Sequence, residues 1–323
     1  MTTGLLVILA ALVAAPFIAE ALRRPMSRRL QDRAPGLMAD LPSGRTHYRW
    51  TGPKTGPLIV CIHGLSSPHY IFAATARALA ALGFRVLVYD LYGRGYSDAP
   101  RGKQDTDFFL RQLRELLEHL GHEGPLSVLG YSMGGSLATA FAAEEGKRVN
   151  HLVLMAPAGL QPVYQSGRAR LWSLPLIGDW LMPVCGAHAL IKELKNDRKQ
   201  ATVIPDLYEK LSRETQRRGY MPALLSSQRY VLSKVFDEDH KTIADYGTPV
   251  LGIWGREDDV ISLSALGRLA ELNPNAEHVE LADATHIFPQ THPSAVAEAL
   301  KRFLGQQPKR ARKISLSTSA TLE

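Results

Sequence analysis

Gly130-Tyr131-Ser132-Met133-Gly134 sets one hydroxyl between two glycines, and its flanks say how that hydroxyl is presented. Leu126-Ser-Val-Leu is an apolar run of buried-strand type, and the small residues after Gly134 suit a close-packed helix. A Gly-x-Ser-x-Gly run between strand and helix reads as a nucleophile elbow, a turn that holds its serine exposed in a strained conformation. At either glycine a Cβ would collide with the neighbouring strand or helix, so larger residues would keep the turn open. A serine hydroxyl is a poor nucleophile at neutral pH; it needs a base, an acid to orient the base, and donors for an oxyanion. Two later loops offer the first two. Pro249-Val-Leu-Gly-Ile-Trp-Gly255 reads as a short buried strand, with Arg256, Glu257, Asp258 and Asp259 in the loop beyond it. Glu277-His-Val-Glu-Leu-Ala-Asp283 alternates like a strand, and Ala284-Thr285-His286 follows. His286 is the candidate base. Glu257, Asp258 and Asp259 compete as the acid, since only one of the three can face inward to accept from an imidazole Nδ1–H.

The order Ser, Asp, His, with acid and base on loops after the last two strands, resembles that of the α/β-hydrolase superfamily. Two more motifs carry the resemblance. Pro57-Leu-Ile-Val-Cys-Ile-His63-Gly64-Leu65 is a buried strand ending in His-Gly, similar to the family's oxyanion loop. Asp90-Leu-Tyr-Gly93-Arg-Gly95-Tyr-Ser97 is similar to its Asp-x-x-Gly-x-Gly-x-Ser loop. No Gly-x-Gly-x-x-Gly or Gly-Lys-Ser/Thr pattern accompanies it, so no nucleotide cofactor is implied. The resemblance selects Asp258, three residues after the glycine closing its strand; Asp259 is the alternative should the turn slip by one. It implies that the backbone N–H groups of Leu65 and Met133 form an oxyanion hole. Asp90 and His63 are expected to be structural. The implied fold is a mostly parallel sheet flanked by helices, with an inserted helical cap. The implied activity is that of a serine hydrolase, carboxylesterase- or lipase-like, cleaving apolar acyl esters through an acyl-enzyme. Serine in place of aspartate argues against the family's dehalogenases and epoxide hydrolases. Cleavage of C–C bonds, thioesters or lactones, and acyl transfer, are alternatives on the same residues. The elbow Gly-x-Ser-Met-Gly-Gly also looks like that of C–C hydrolases, where a substrate carboxylate would need a cation; Arg168, Arg170 and Arg229 are candidates. A non-catalytic scaffold of this fold is the remaining reading.

The elements that must position these groups follow from periodicity. Strands and helices alternate from Pro57 to Gly159, which implies a parallel sheet covered on both faces. Tyr70–Leu82 is alanine-rich and helical, Asp105–Leu120 is amphipathic through Leu110, Leu113, Leu116, Leu117 and Leu120, and Met133–Glu145 backs the serine. Sheet rhythm stops from Leu160 to Asp245, where helical periodicity is broken by Pro175, Pro183, Pro205 and Pro222. The run Leu171–Met182, with Trp180, is a candidate lid over Ser132. The expected organisation is an anchor helix at 1–23, a linker at 24–45, core at 46–160, cap at 161–245, core again at 246–305 and a disordered basic tail at 306–323. Thr46–Trp50 is expected to begin the core as a strand that hairpins into the next.

Net charge is +7 over 323 residues, but residues 1–33 and 306–323 each carry +3 of it. The body is nearly neutral, which argues against a nucleic-acid partner. Two cysteines, Cys61 and Cys185, allow no disulfide framework, and the histidine spacing suggests no metal. Gly4–Ala19 holds no charge, and Glu20 then precedes Arg23, Arg24, Arg28 and Arg29. Residues 4–22 are just long enough for one membrane span, and the downstream arginines place the catalytic body in the cytoplasm. A cleaved signal peptide, with a secreted or periplasmic product, and a monotopic or buried helix are the alternatives.

Overall fold

The computed structural model describes residues 2–163, 167–197 and 200–305. Its sheet contains β1 (Leu37–Leu41), β2 (Gly44–Thr51), β3 (Leu58–Ile62), β4 (Arg85–Tyr89), β5 (Leu126–Tyr131), β6 (Val149–Met155), β7 (Val250–Gly255) and β8 (Glu277–Leu281). They lie in the order β1-β2-β4-β3-β5-β6-β7-β8. From β4 to β8 neighbours run parallel, while β2 is antiparallel to both β1 and β4. Every residue of β3, β5 and β7 is buried, as continuous apolar runs require when helices cover both faces.

Helix α1 (Thr2–Ala21) and one turn, α2 (Arg28–Gln31), precede the sheet. The crossovers are α3 (Ala73–Ala81), α4 (Thr106–His119) and α5 (Met133–Glu145). Asp105 caps α4 by accepting from the Phe108 N–H at 3.1 Å, and the leucine stripe of α4 is buried. Between β6 and β7 come α6 (Gly167–Ser173), α7 (Ile177–Leu181), a π-helical turn at Met182–Gly186, α8 (Ala187–Asp197), α9 (Leu207–Glu214), α10 (Tyr220–Tyr230) and α11 (Asp237–Asp245). After β7 follow α12 (Ser264–Leu272), α13 (Phe288–Thr291) and α14 (Pro293–Gly305). α3 packs with α14, and α5 with α4 and α11, giving a helical layer on each side of the sheet.

Three expectations need correction. The stretch 24–45 is not merely a linker, because Leu37–Leu41 pairs with β2 in full register; its alternation is short and follows an Arg- and Pro-rich run that masks it. For the same reason β2 hairpins with the strand before it and not with β3. The cap also ends sooner than residue 245: α11 buries His240 and Ile243 and packs on α5 and α12, so it belongs to the core layer. The tail expected at 306–323 lies outside the described residues.

Candidate active site

Ser132 sits between β5 and α5 with φ 54° and ψ −121°, a conformation few non-glycine residues adopt. Neighbours hold it there. Its N–H donates to Met155 O at 3.0 Å, and its carbonyl accepts from Gly135 and Ala158 at 2.8 and 3.0 Å. Gly130 and Gly134 leave no room for a side chain, and Gly64 leaves little. A Cβ on Gly130 would lie 2.3 Å from Gly134 O, one on Gly134 2.0 Å from Ile62 O, and one on Gly64 3.2 Å from Ser132 Cβ.

The loops after β7 and β8 bring the other candidates to this hydroxyl. His286 Nε2 stands 2.9 Å from Ser132 Oγ, and its Nδ1 stands 2.8 Å from Asp258 Oδ2. The Asp258 carboxylate is buried, and its other oxygen accepts from the N–H groups of Val260 and Ile261, both at 2.8 Å. Glu257 and Asp259 are exposed. An ionised carboxylate only accepts, so Nδ1 carries the imidazole proton and Nε2 is left to accept from the serine O–H. Such a line can move a proton off Oγ as it attacks a carbonyl. Tyr131, for which the sequence offers no signal beyond its place in the elbow, braces the candidate base. Its ring stacks on His286 at 5.3 Å and its hydroxyl donates to His286 O at 3.0 Å.

Leu65 lines the cavity beside Ser132, and Met133 opens α5, whose first N–H groups have no acceptor within the helix. His63 fixes the peptide between Gly64 and Leu65. Its ring is fully buried; Nδ1 donates to Gly64 O at 2.8 Å while Nε2 accepts the Leu91 N–H at 2.9 Å. Because the peptide is planar and trans, holding the Gly64 carbonyl toward His63 turns the Leu65 N–H the opposite way. Burial pushes the His63 pKa down to about 4 against the pull of Asp90, so the ring is neutral. The next carbonyls are pinned as well: Leu65 O accepts from Arg94 Nε at 3.0 Å, and Ser66 O from the Tyr220 hydroxyl at 2.8 Å.

Asp90 organises the Asp90–Ser97 loop from the interior. It accepts from Nδ1 of His47 and of His69 at 2.8 and 2.7 Å, and from the N–H groups of His69 and Tyr96 at 2.8 and 2.9 Å. Burial opposes its charge, yet His69 and His47 hold its pKa well below the ordinary carboxylate range. The sequence spacing suggested no metal site, but the fold does bring these three side chains together, with ligand atoms within 4.8 Å of one another. Both Nδ1 atoms carry their protons toward Asp90, whose two oxygens already accept four hydrogen bonds, and the cluster reads as structural.

A cavity of about 780 Å³ opens over Ser132 and His286. Of the expected lid, Trp172 and Met182 line it, whereas Leu171, Leu174, Leu176 and Ile177 face outward. Leu190, Met221, Leu224 and Ile204 add apolar wall, with Gln228 and Gln290 among the polar exceptions. Among the described lining residues the charged ones, His286 aside, are all acidic: Asp206, Glu209, Glu257 and Asp259. Arg229 points elsewhere, donating to Asp179 and to the carbonyls of Ser173 and Leu174, and Arg170 is exposed. The Arg168 side chain lies outside the described residues.

A sequence profile described as the alpha/beta hydrolase fold matches residues 57–293. A 2-hydroxy-6-oxononadienedioate/2-hydroxy-6-oxononatrienedioate hydrolase from Paraburkholderia phymatum is 29% identical over 81% of this chain and 91% of its own. Lipase 1 of Psychrobacter immobilis is 25% identical over 74% of each chain. Among solved structures, the enol-lactonase of Burkholderia xenovorans superposes with a TM-score of 0.70 at 23% identity, covering 84% of this chain and all of the lactonase.

Proposed function

The chain belongs to the α/β-hydrolase fold family, and from that premise we propose that it is a serine hydrolase of apolar acyl esters working through an acyl-enzyme. The observation that carries this reading is the continuous hydrogen-bonded line from Ser132 Oγ through His286 to Asp258 at the floor of a largely apolar cavity. In this mechanism Ser132 attacks the acyl carbonyl as His286 takes its proton. Asp258 keeps the imidazole in the required tautomer and stabilises the imidazolium. The N–H groups of Leu65 and Met133 receive the tetrahedral oxyanion. His286 returns the proton to the leaving alcohol, and water, activated by the same imidazole, releases the acid.

The lining favours an uncharged ester over the C–C alternative. A dioate such as the one named for the Paraburkholderia relative brings carboxylates, and among the described lining residues Asp206, Glu257 and Asp259 would set like charge against them. The Psychrobacter lipase supports the ester reading by kinship. Membrane association through residues 4–22 belongs to the same proposal, since a tether would concentrate lipidic esters at the cavity.

A fluorophosphonate probe should label the protein at Ser132 and fail to label Ser132→Ala, which should keep its fold and lose essentially all turnover. Across p-nitrophenyl esters, rates should rise from acetate to octanoate. Cleavage of a vinylogous diketone with every ester left intact would overturn the ester assignment.

A further inference from the structure

Helix α1 has a mean hydropathy of 2.3 over Thr3–Ala21 and, at about 1.5 Å per residue, enough length to cross a hydrocarbon core. Its contacts point to another placement. Pro16 lacks an N–H, so the carbonyl of Leu12 has no donor inside the helix. Trp180 of α7 supplies one, its Nε1–H reaching Leu12 O at 2.7 Å. From there the helix is laid along the cap by one face. Ala15, Pro16 and Ala19 are partly covered, and Glu20 accepts from the Gly219 N–H. Arg23 donates to Thr215 O at 3.1 Å and Pro183 O at 2.7 Å. The opposite face stays open to the outside, with Phe17 at 73% and Leu6 at 64% exposure.

A helix crossing the membrane would carry its midpoint, Leu12, to the bilayer centre, and the cap would have to follow. Trp180 would be drawn in, and with it its neighbour Asp179 and the 2.6 Å ion pair that Asp179 makes with Arg229 of α10. Polar groups at that depth are costly. We propose that α1 does not cross, and that α1 and the cap together form a docking surface for one leaflet of an anionic bilayer, resting on the membrane association proposed above. Residues 2–11 project beyond the Trp180 contact by about 15 Å, half of a core roughly 30 Å thick. The second half of α1 lies at headgroup level beside α7. There Trp180 occupies the depth where tryptophans concentrate, Leu174, Leu176 (83% exposed) and Ile177 insert, and exposed Arg24, Arg28 and Arg29 meet lipid phosphates. The Met182–Gly186 turn packs on α1 and also lines the cavity through Met182 and Gly186. One turn of chain thus separates the lipid-facing surface from the space above Ser132.

The test uses the full chain with Cys185→Ser, leaving only the fully buried Cys61. Bimane is placed at Gly4→Cys or at Leu176→Cys, and the protein is reconstituted with phosphatidylcholine–phosphatidylglycerol vesicles. A nitroxide near the headgroup should extinguish most fluorescence at position 176, and one near the acyl-chain end should do so at position 4. The proposal is overturned if iodide trapped inside the vesicles quenches position 4, if neither lipid quenches position 176, or if the protein does not float with the vesicles. Ile177→Cys replaces Leu176→Cys should that variant misfold. Turnover of p-nitrophenyl butyrate is read on every sample; its absence beside the expected quenching would sink the hydrolase reading and leave this one standing.

Discussion

Ser132 shows how a single residue can be strained because its surroundings leave no other choice: three backbone hydrogen bonds and two glycines fix it at a positive φ. The same reasoning gives His63 a measurable role. If it orients the Gly64–Leu65 peptide, His63→Ala should lower kcat by about 10²-fold, the scale of losing one oxyanion donor, with KM nearly unchanged. A merely structural histidine would instead lower Tm and leave kcat of the folded fraction intact, so steady-state kinetics beside thermal unfolding decide between them. For the acid, Asp258→Asn should cost about 10⁴ in kcat while the exposed Asp259→Asn stays close to the parent. Equal losses in the two would mean that the loop moves and that Oδ2 is not the lasting partner of His286. Ser132, His286 and the acidic trio were legible because each follows a recognisable strand. Tyr131 and the partners of Asp90 were not. His47 and His69 lie 43 and 21 residues from the aspartate, and only the assembled sheet makes them neighbours.

At the scale of elements, α5 approaches β3 so closely that the helix tolerates no methyl at its second residue. Gly134→Ala would set a Cβ 2.0 Å from Ile62 O, a backbone atom that cannot step aside. Its expected cost is about 4 kcal/mol or more, read as a fall in urea midpoint or as failure to fold. A stability within 1 kcal/mol of the parent, on the order of an exposed helix glycine replacement, would show that α5 can slide. Glu214 makes a comparable joint between α9 and the Asp90–Ser97 loop, accepting the Gly95 N–H at 3.0 Å. Burial raises its pKa to about 7, against Arg217. Its proton is therefore held more tightly in the folded chain. The resulting stability is complete below pH 4.5 and lost as pH rises through 7. Glu214→Gln should flatten that loss in denaturation curves taken from pH 5 to 8. Long apolar runs and the leucine stripe of α4 announced the central strands and crossovers. The edge hairpin did not, because five alternating residues beside an Arg- and Pro-rich stretch carry too little pattern. Hydropathy likewise reported the length of α1 and nothing of the cap surface it leans on.

Over the whole molecule the acid limb of stability should belong to two buried histidines. Burial pushes both His63 and His240 down to about 4, so both are neutral in the fold and must take up protons on unfolding. Stability from each is present above pH 6.5 and lost as pH falls toward 4, roughly 3 kcal/mol apiece. With Glu214 acting in the opposite sense, urea midpoints should peak on the slightly acid side of neutrality. A plateau extending to pH 4 would contradict the burial of both rings.

Arg94 joins the two halves of the molecule in another way. Fully buried, with a pKa brought down by burial to about 10, it remains charged at neutral pH. It spends its donors on Leu65 O, Tyr92 O and Gln104 on the core side, and on Ser227 Oγ and Ala223 O of α10. The cap is consequently no interchangeable module. A lid transplanted from a relative would have to arrive with its own acceptors for this guanidinium, or strand a cation in the interior and loosen the grip on the loop next to the serine.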